Sequence, residues 1–151
     1  MTNIKGTATG NAVEVEIEIE APAEAVFDFL VVPEKLLRWM GQEADLDPRP
    51  GGELRIHVGG SDTAIGRYAE VVRPKKVSFS WGWEGSELVP PGSSMVEISL
   101  REAGGVTVVT LVHTDLPDPE AGTQHLEGWL HFGALLGDVA EAEAQAGASA
   151  S

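Results

Sequence analysis

The chain has 151 residues, 42% of them hydrophobic and 23% charged, the balance of a single globular domain and not of a disordered chain. With 10 basic against 24 acidic side chains its formal charge is −14, which repels phosphate backbones and anionic lipid surfaces and argues against nucleic-acid and membrane partners. Cysteine is absent, which excludes disulfides, thiolate catalysis and zinc–thiolate sites, and no run reaches the roughly 20 apolar residues of a membrane span.

Residues 1–12 are small, polar and glycine-containing, a composition that predicts a flexible start. They carry no apolar stretch followed by a small-residue cleavage site, so a cytoplasmic location is expected. Residues 13–20, VEVEIEIE, alternate β-branched apolar side chains with glutamates, the pattern of a strand with one wet face. Four glutamates on one face repel each other, which predicts basic residues on the neighbouring strands. Pro22 opens a short helix over 23–30, with Val26, Phe27 and Leu30 at helical spacing, and Pro33 opens a second over 33–39.

From there to residue 113 the pattern predicts strands separated by turns. Segments 44–48 and 53–58 flank Pro50-Gly51-Gly52, and 65–73 stops at Pro74. Segment 77–83, VSFSWGW, alternates large apolar with small residues, 84–92 is a loop, and 95–101 and 106–113 are joined by a hairpin turn. Short connections make these an antiparallel meander. Asp118-Pro119-Glu120 is a capping acid, a proline and a second acid, which starts a helix expected to run to about residue 144. Gly128, Gly133 and Gly137 each cost that helix about 1 kcal/mol relative to alanine, and close approach to the sheet is the expected return. Residues 145–151 read as a flexible tail.

These elements predict one α+β domain over residues 13–144: a curved antiparallel sheet of about seven strands, two short helices, and a long C-terminal helix in the concave face.

Candidate chemistry begins with His57, His113, His125 and His131, the side chains that titrate near neutrality. Their spacing matches no helical zinc site, so no metal is expected. No GxSxG elbow, P-loop or GxGxxG fingerprint is present, and no cofactor is expected. His113 closes a strand just before Thr114-Asp115, so Asp115 is a candidate to orient it as a base. His125 shares a helix face with Trp129, either as a second candidate base or as a structural hydrogen-bonding group.

The aromatic pattern is stronger. Phe79, Trp81 and Trp83 project from one face of one strand, with Ser78, Ser80 and Gly82 on the other. With Trp39, Met40, Trp129 and Phe132 they make one sheet face rich in large apolar groups. Two readings fit: a plain hydrophobic core, or a partly open cavity for a small apolar or aromatic molecule. The expected lining of such a cavity is Trp39, Phe79, Trp81, Trp83, Met95, Trp129 and Phe132.

Several segments in order carry a family resemblance. They are APAEAVFDFLVVPEKLLRWM (21–40), Pro50-Gly51-Gly52, Gly66, RPKKVSFSWGWE (73–84), Val112-His113-Thr114, and His125-Leu126-Glu127-Gly128-Trp129. Together they resemble the stand-alone bacterial members of the family related to the C-terminal domain of the heat-shock-protein-90 ATPase activator. That family lies within the START and birch-pollen-allergen-like helix-grip superfamily. Phe27 and Val106 depart from the family pattern, which usually has tryptophan and threonine there. The resemblance implies a long helix gripped by the sheet and a cavity between them, which across the superfamily holds lipids, hormones, polyketides or nothing known. It does not imply chaperone activation, because the main chaperone contacts of the eukaryotic activator lie in a separate N-terminal domain not expected here.

Three functions follow as expectations: non-enzymatic binding of a small apolar ligand in the cavity; a polyketide-cyclase or hydrolase type of enzyme using His113 or His125; and a chaperone-associated interaction module, which requires a large exposed apolar patch. A homodimer through an exposed strand edge is compatible with each.

Overall fold

The computed structural model describes the backbone of residues 3–150 and the side chains of residues 3–147. The elements follow in the order β1 (Asn3–Thr9), β2 (Ala12–Ile19), α1 (Ala23–Val31), α2 (Pro33–Leu36), β3 (Glu43–Leu46), β4 (Glu53–Gly59), β5 (Asp62–Val72), β6 (Lys76–Trp81), β7 (Ser94–Ala103), β8 (Val106–Thr114) and α3 (Pro119–Ala150). All strands join one antiparallel sheet of eight strands in the order β1-β2-β8-β7-β6-β5-β4-β3. Strands β3 to β8 form the expected meander, and α1 and α2 carry the chain from β2 across to β3. Register shifts at His57/Gly59 and Tyr68/Glu70 are bulges of the kind that bend a sheet.

Cross-strand register puts one residue from each of the five strands β2, β8, β7, β6 and β5 into the same inward row. Val13 faces His113, His113 faces Val96, Val96 faces Phe79, and Phe79 faces Tyr68. All five are buried. The same parity places Val15, Ile17 and Ile19 of β2 and Ile98 and Leu100 of β7 in the core. Burial of this continuous apolar face is the main force holding sheet and helices together. Trp39, after α2, is locked beneath α1 by donation of its indole N–H to the Phe29 carbonyl at 2.8 Å.

Several expectations are corrected. The expected sheet of about seven strands gains one at its edge, because residues 3–9, expected to be flexible, form β1. Its register pairs Lys5 with Glu16 and Asn3 with Glu18, and its inner face is covered by α3, where Leu126 lies against Gly6. The glutamate stripe of β2 meets one lysine, Lys5, 3.5 Å from Glu16, and β8 sets Val108, Thr110 and Val112 beside it instead of basic residues. Strand β6 ends at Trp81, two residues early, because Gly82 passes so close to the Pro90 carbonyl that no Cβ would fit. Helix α2 is a single turn, and α3 continues past 144 to Ala150.

Helix α3 starts as its sequence predicts: the Asp118 carboxylate accepts the Ala121 N–H at 2.8 Å. Its glycines have different jobs. A Cβ on Gly133 would lie 2.8 Å from the Ile4 Cδ1 and 2.9 Å from the Ile17 Cδ1, so this glycine brings the helix onto β1 and β2. Gly128 has nothing within 4 Å of a Cβ. Gly133→Leu should therefore lower stability by about 1–3 kcal/mol through overpacking, whereas Gly128→Ala should raise it by up to about 1 kcal/mol through helix propensity. Urea denaturation of the two variants checks this pair.

Candidate functional site: an aromatic cleft backed by two imidazoles

At the open end of the sheet the aromatic side chains of β6 continue past the strand. Phe79 and Trp81 are 5.9 Å apart between ring centroids, and Trp81 meets Trp83 at 5.5 Å, edge to face. Trp83 is held by its backbone, which bridges Ala64 and donates to the Val89 carbonyl at 2.8 Å. The loop 84–92 thus folds back on the strand that precedes it. Across the gap, Trp129 of α3 lies 5.3 Å from Trp81, so the helix meets the aromatic row on its inner side.

Two histidines back this cluster. His113 is fully buried. Its Nδ1 accepts the Trp129 indole N–H at 3.0 Å, and its Nε2 lies 2.8 Å from the Ser94 Oγ. The Trp129 donor requires an unprotonated Nδ1, so the neutral ring carries its proton on Nε2 and donates to Ser94, which in turn donates to the Trp81 carbonyl at 2.8 Å. His125 has the opposite tautomer. Its Nε2 accepts the Trp83 indole N–H at 3.0 Å, and its Nδ1–H donates to the Ala121 carbonyl at 2.8 Å. The two rings stand 5.0 Å apart and nearly perpendicular. Burial lowers the pKa of His113 to about 3, with repulsion from His125 adding to it. Burial also lowers that of His125, against a small opposing effect of its bond to Ala121.

Above the rings opens a cleft of about 500 Å³. Its wall is Met40, Trp81, Trp83, Trp129 and Phe132, and its rim is polar, with Ser61, Asp62, Glu84, Ser86 and Gln124. His125 and Gly128 complete the helix side. Beneath it, Trp39, Phe79 and neighbouring aliphatic side chains enclose a void of only about 10 Å³. The deep part of the helix–sheet space is thus filled by side chains, and the room lies at its mouth.

Residues 20–141 match the family model described as Activator of Hsp90 ATPase homolog 1-like protein. The chain belongs to this family. Among solved structures it is similar to an AHSA1-like protein from Rhizobium etli, with 46% identity over 88% of this chain and 83% of that one and a TM-score of 0.71. It also shares its fold with the Aha1 dimer from Colwellia psychrerythraea, at 17% identity over 86% of this chain and 96% of that one, TM-score 0.74. An Hsp90 activator from Plasmodium falciparum matches at 23% identity over 70% of this chain and 74% of that one, TM-score 0.59. A search of curated proteins found no match.

Within this family member the expected lining divides. Trp81, Trp83, Trp129 and Phe132 border the cleft. Trp39 and Phe79 lie in the filled interior below it. Met95 does not join them: it pairs with Ser80 on β6, on the parity opposite to the buried Ser94, Val96 and Ile98, and so lies on the outer sheet face. The proposed orienting role of Asp115 is also corrected. Asp115 is exposed beyond the end of β8, at φ 65°, and both nitrogens of His113 are bonded elsewhere. The expected lining does not include Gln124 and Gly128, which also border the cleft; their spacing of four from each other and from Phe132 puts all three on one helix face, and that is the signal for them. Among the described residues no group of three or more histidine and acidic side chains is arranged to hold a metal.

The His113 shift has a definite sign. An unfolded histidine titrates near about 6.5, and the folded group only near 3, so between these values the unfolded chain binds more protons. Stability contributed by neutral His113 is complete above about pH 6.5 and is lost as pH falls toward 3, by up to about 1.4 kcal/mol per pH unit. Urea unfolding at pH 7.5, 6.5 and 5.5 should show this decline, and the His113 ring resonances should not titrate above pH 5.

Proposed function

We propose that this family member binds a small apolar or aromatic molecule in the cleft between the end of β6 and α3, without acting on it chemically. The observation that carries the reading is a space of about 500 Å³ walled by three indoles, a phenyl ring and a methionine and rimmed by polar groups. Small-molecule sites have this size, about 300–1,000 Å³, and this division between apolar wall and sparse polar rim.

Catalysis by His113 or His125 finds less support. A general base needs a free nitrogen within reach of the substrate, and each imidazole already uses both of its nitrogens within the protein. A chaperone-docking face also finds less support: among the described residues the exposed large apolar side chains are Val72, Leu88 and Leu135, one each on β5, the 84–92 loop and α3, with no run of them along any one element. Among the described residues no helix is long and apolar enough to cross a membrane.

Thermal denaturation with panels of fatty acids, polycyclic aromatics and polyketides tests the reading. A binder present at 100 times its Kd adds about 2.7 kcal/mol of stability, a clear upward shift in Tm. Gly128→Leu, which projects a side chain into the cleft, should fold with a Tm at or above that of the wild type and abolish the shift. No response to any class would contradict the proposal.

A further inference from the structure

The chain has four tryptophans, and three of their indole N–H groups have acceptors. Trp39 donates to Phe29, Trp83 to His125 and Trp129 to His113. The fourth does not: Trp81 is 2% exposed and its Nε1–H has no partner. Buried polar atoms are almost always paired, so an orphan donor in a tight aromatic cluster requires a reason. His113 stands 6.3 Å from Trp81 between ring centroids, but both of its nitrogens are engaged.

Water does not supply the answer. The void that Trp81 borders below the cleft holds about 10 Å³ and is otherwise lined by aliphatic and aromatic side chains, Leu30, Ile56 and Phe79 among them. A buried water needs two to four polar partners, and the indoles of Trp39 and Trp129 that share this lining are already committed.

Met40, Trp81 and Trp129 border both the void and the cleft. Of these three Met40 is the adaptable one, unbranched and able to repack at little cost.

We propose that Trp81 is the polar recognition element of the cleft. Its Nε1–H donates to a carbonyl or ether oxygen on an uncharged, ring-bearing ligand whose apolar body lies against Trp83, Trp129 and Phe132, with Met40 moved aside. The acceptor is neutral because Asp62 and Glu84 line the cleft and no lysine or arginine does; Arg55 pairs with Glu84 at 2.8 Å, so it is Asp62 that a carboxylate would meet as like charge. This rests on the cleft being a ligand site, as proposed above, and adds the chemistry that the ligand must carry.

Benzophenone and diphenylmethane, which share two phenyl rings and differ by the carbonyl, separate the two claims in an NMR titration of ¹⁵N-labelled protein. Benzophenone should bind about five- to tenfold more tightly, the effect of one neutral hydrogen bond, and move the Trp81 indole proton downfield; diphenylmethane should not move it downfield. Trp81→Phe should bind both probes and lose the preference. 4-Benzoylbenzoate should bind more weakly than benzophenone to the wild type. Equal binding of the first two probes, with the Trp81 indole proton unmoved in wild-type protein, overturns the role of Trp81 while leaving the cleft as a site. Failure of both to bind removes the cleft reading and this inference together.

Discussion

The helix and the sheet are tied at the cleft by one buried donation, from the indole of Trp129 to the imidazole of His113. It joins α3 to β8 across the core, and it works only while His113 is neutral, since a protonated Nδ1 would face the indole donor with a second donor. Burial keeps the ring neutral, and the bond in turn satisfies the buried ring. The same logic recurs one layer nearer to solvent, where His125 accepts from Trp83. Two neutral imidazoles of opposite tautomer thus fix the planes of two of the three indoles that wall the cleft.

What separates a cleft from a filled core here is local packing of the helix. At Gly133 the backbone comes down onto Ile4 and Ile17, and no space is left. One and a half turns earlier, at Gly128, the helix has nothing beneath its bare Cα, and with Gln124 and Phe132 it forms one wall of the opening. Neither glycine favours a helix. One is offset by close packing, while the other leaves room that an alanine or leucine would reduce. The loop 84–92 supplies the opposite rim because Gly82 lets it fold tightly back over the end of β6.

Much of this was legible from local pattern. The alternation in VSFSWGW identifies the inward aromatic row, and the order Asp118-Pro119 locates the start of α3, because both signals act over a few residues. Other features depend on partners far away in the chain. Strand β1 carries one large apolar residue, Ile4, and no strong strand pattern; it is held by pairing with β2 and by the cover of α3. The partner of His113 is Trp129, 16 residues on, whereas the nearby Asp115 lies past the strand end in a left-handed conformation and turns out to be irrelevant to it. The parity of Met95 is readable in the sequence: Val96, Ile98 and Leu100 define the inward set of β7, and Met95, one residue out of step with them, belongs to the other face. The boundary between filled interior and open cleft is a matter of side-chain volumes summed over six elements, which no single segment encodes.

The most direct test of the central tie is hydrogen exchange at the four indole N–H groups of ¹⁵N-labelled protein at neutral pH. If Trp129 is held by a neutral buried His113, its indole proton exchanges only through global unfolding, as slowly as the most protected amides of β7 and β8, and Trp83, bonded to half-buried His125, exchanges faster. A Trp129 indole proton that exchanges at the rate of a solvent-exposed indole, while the core amides stay protected, would contradict the tie and the architecture of the cleft built on it.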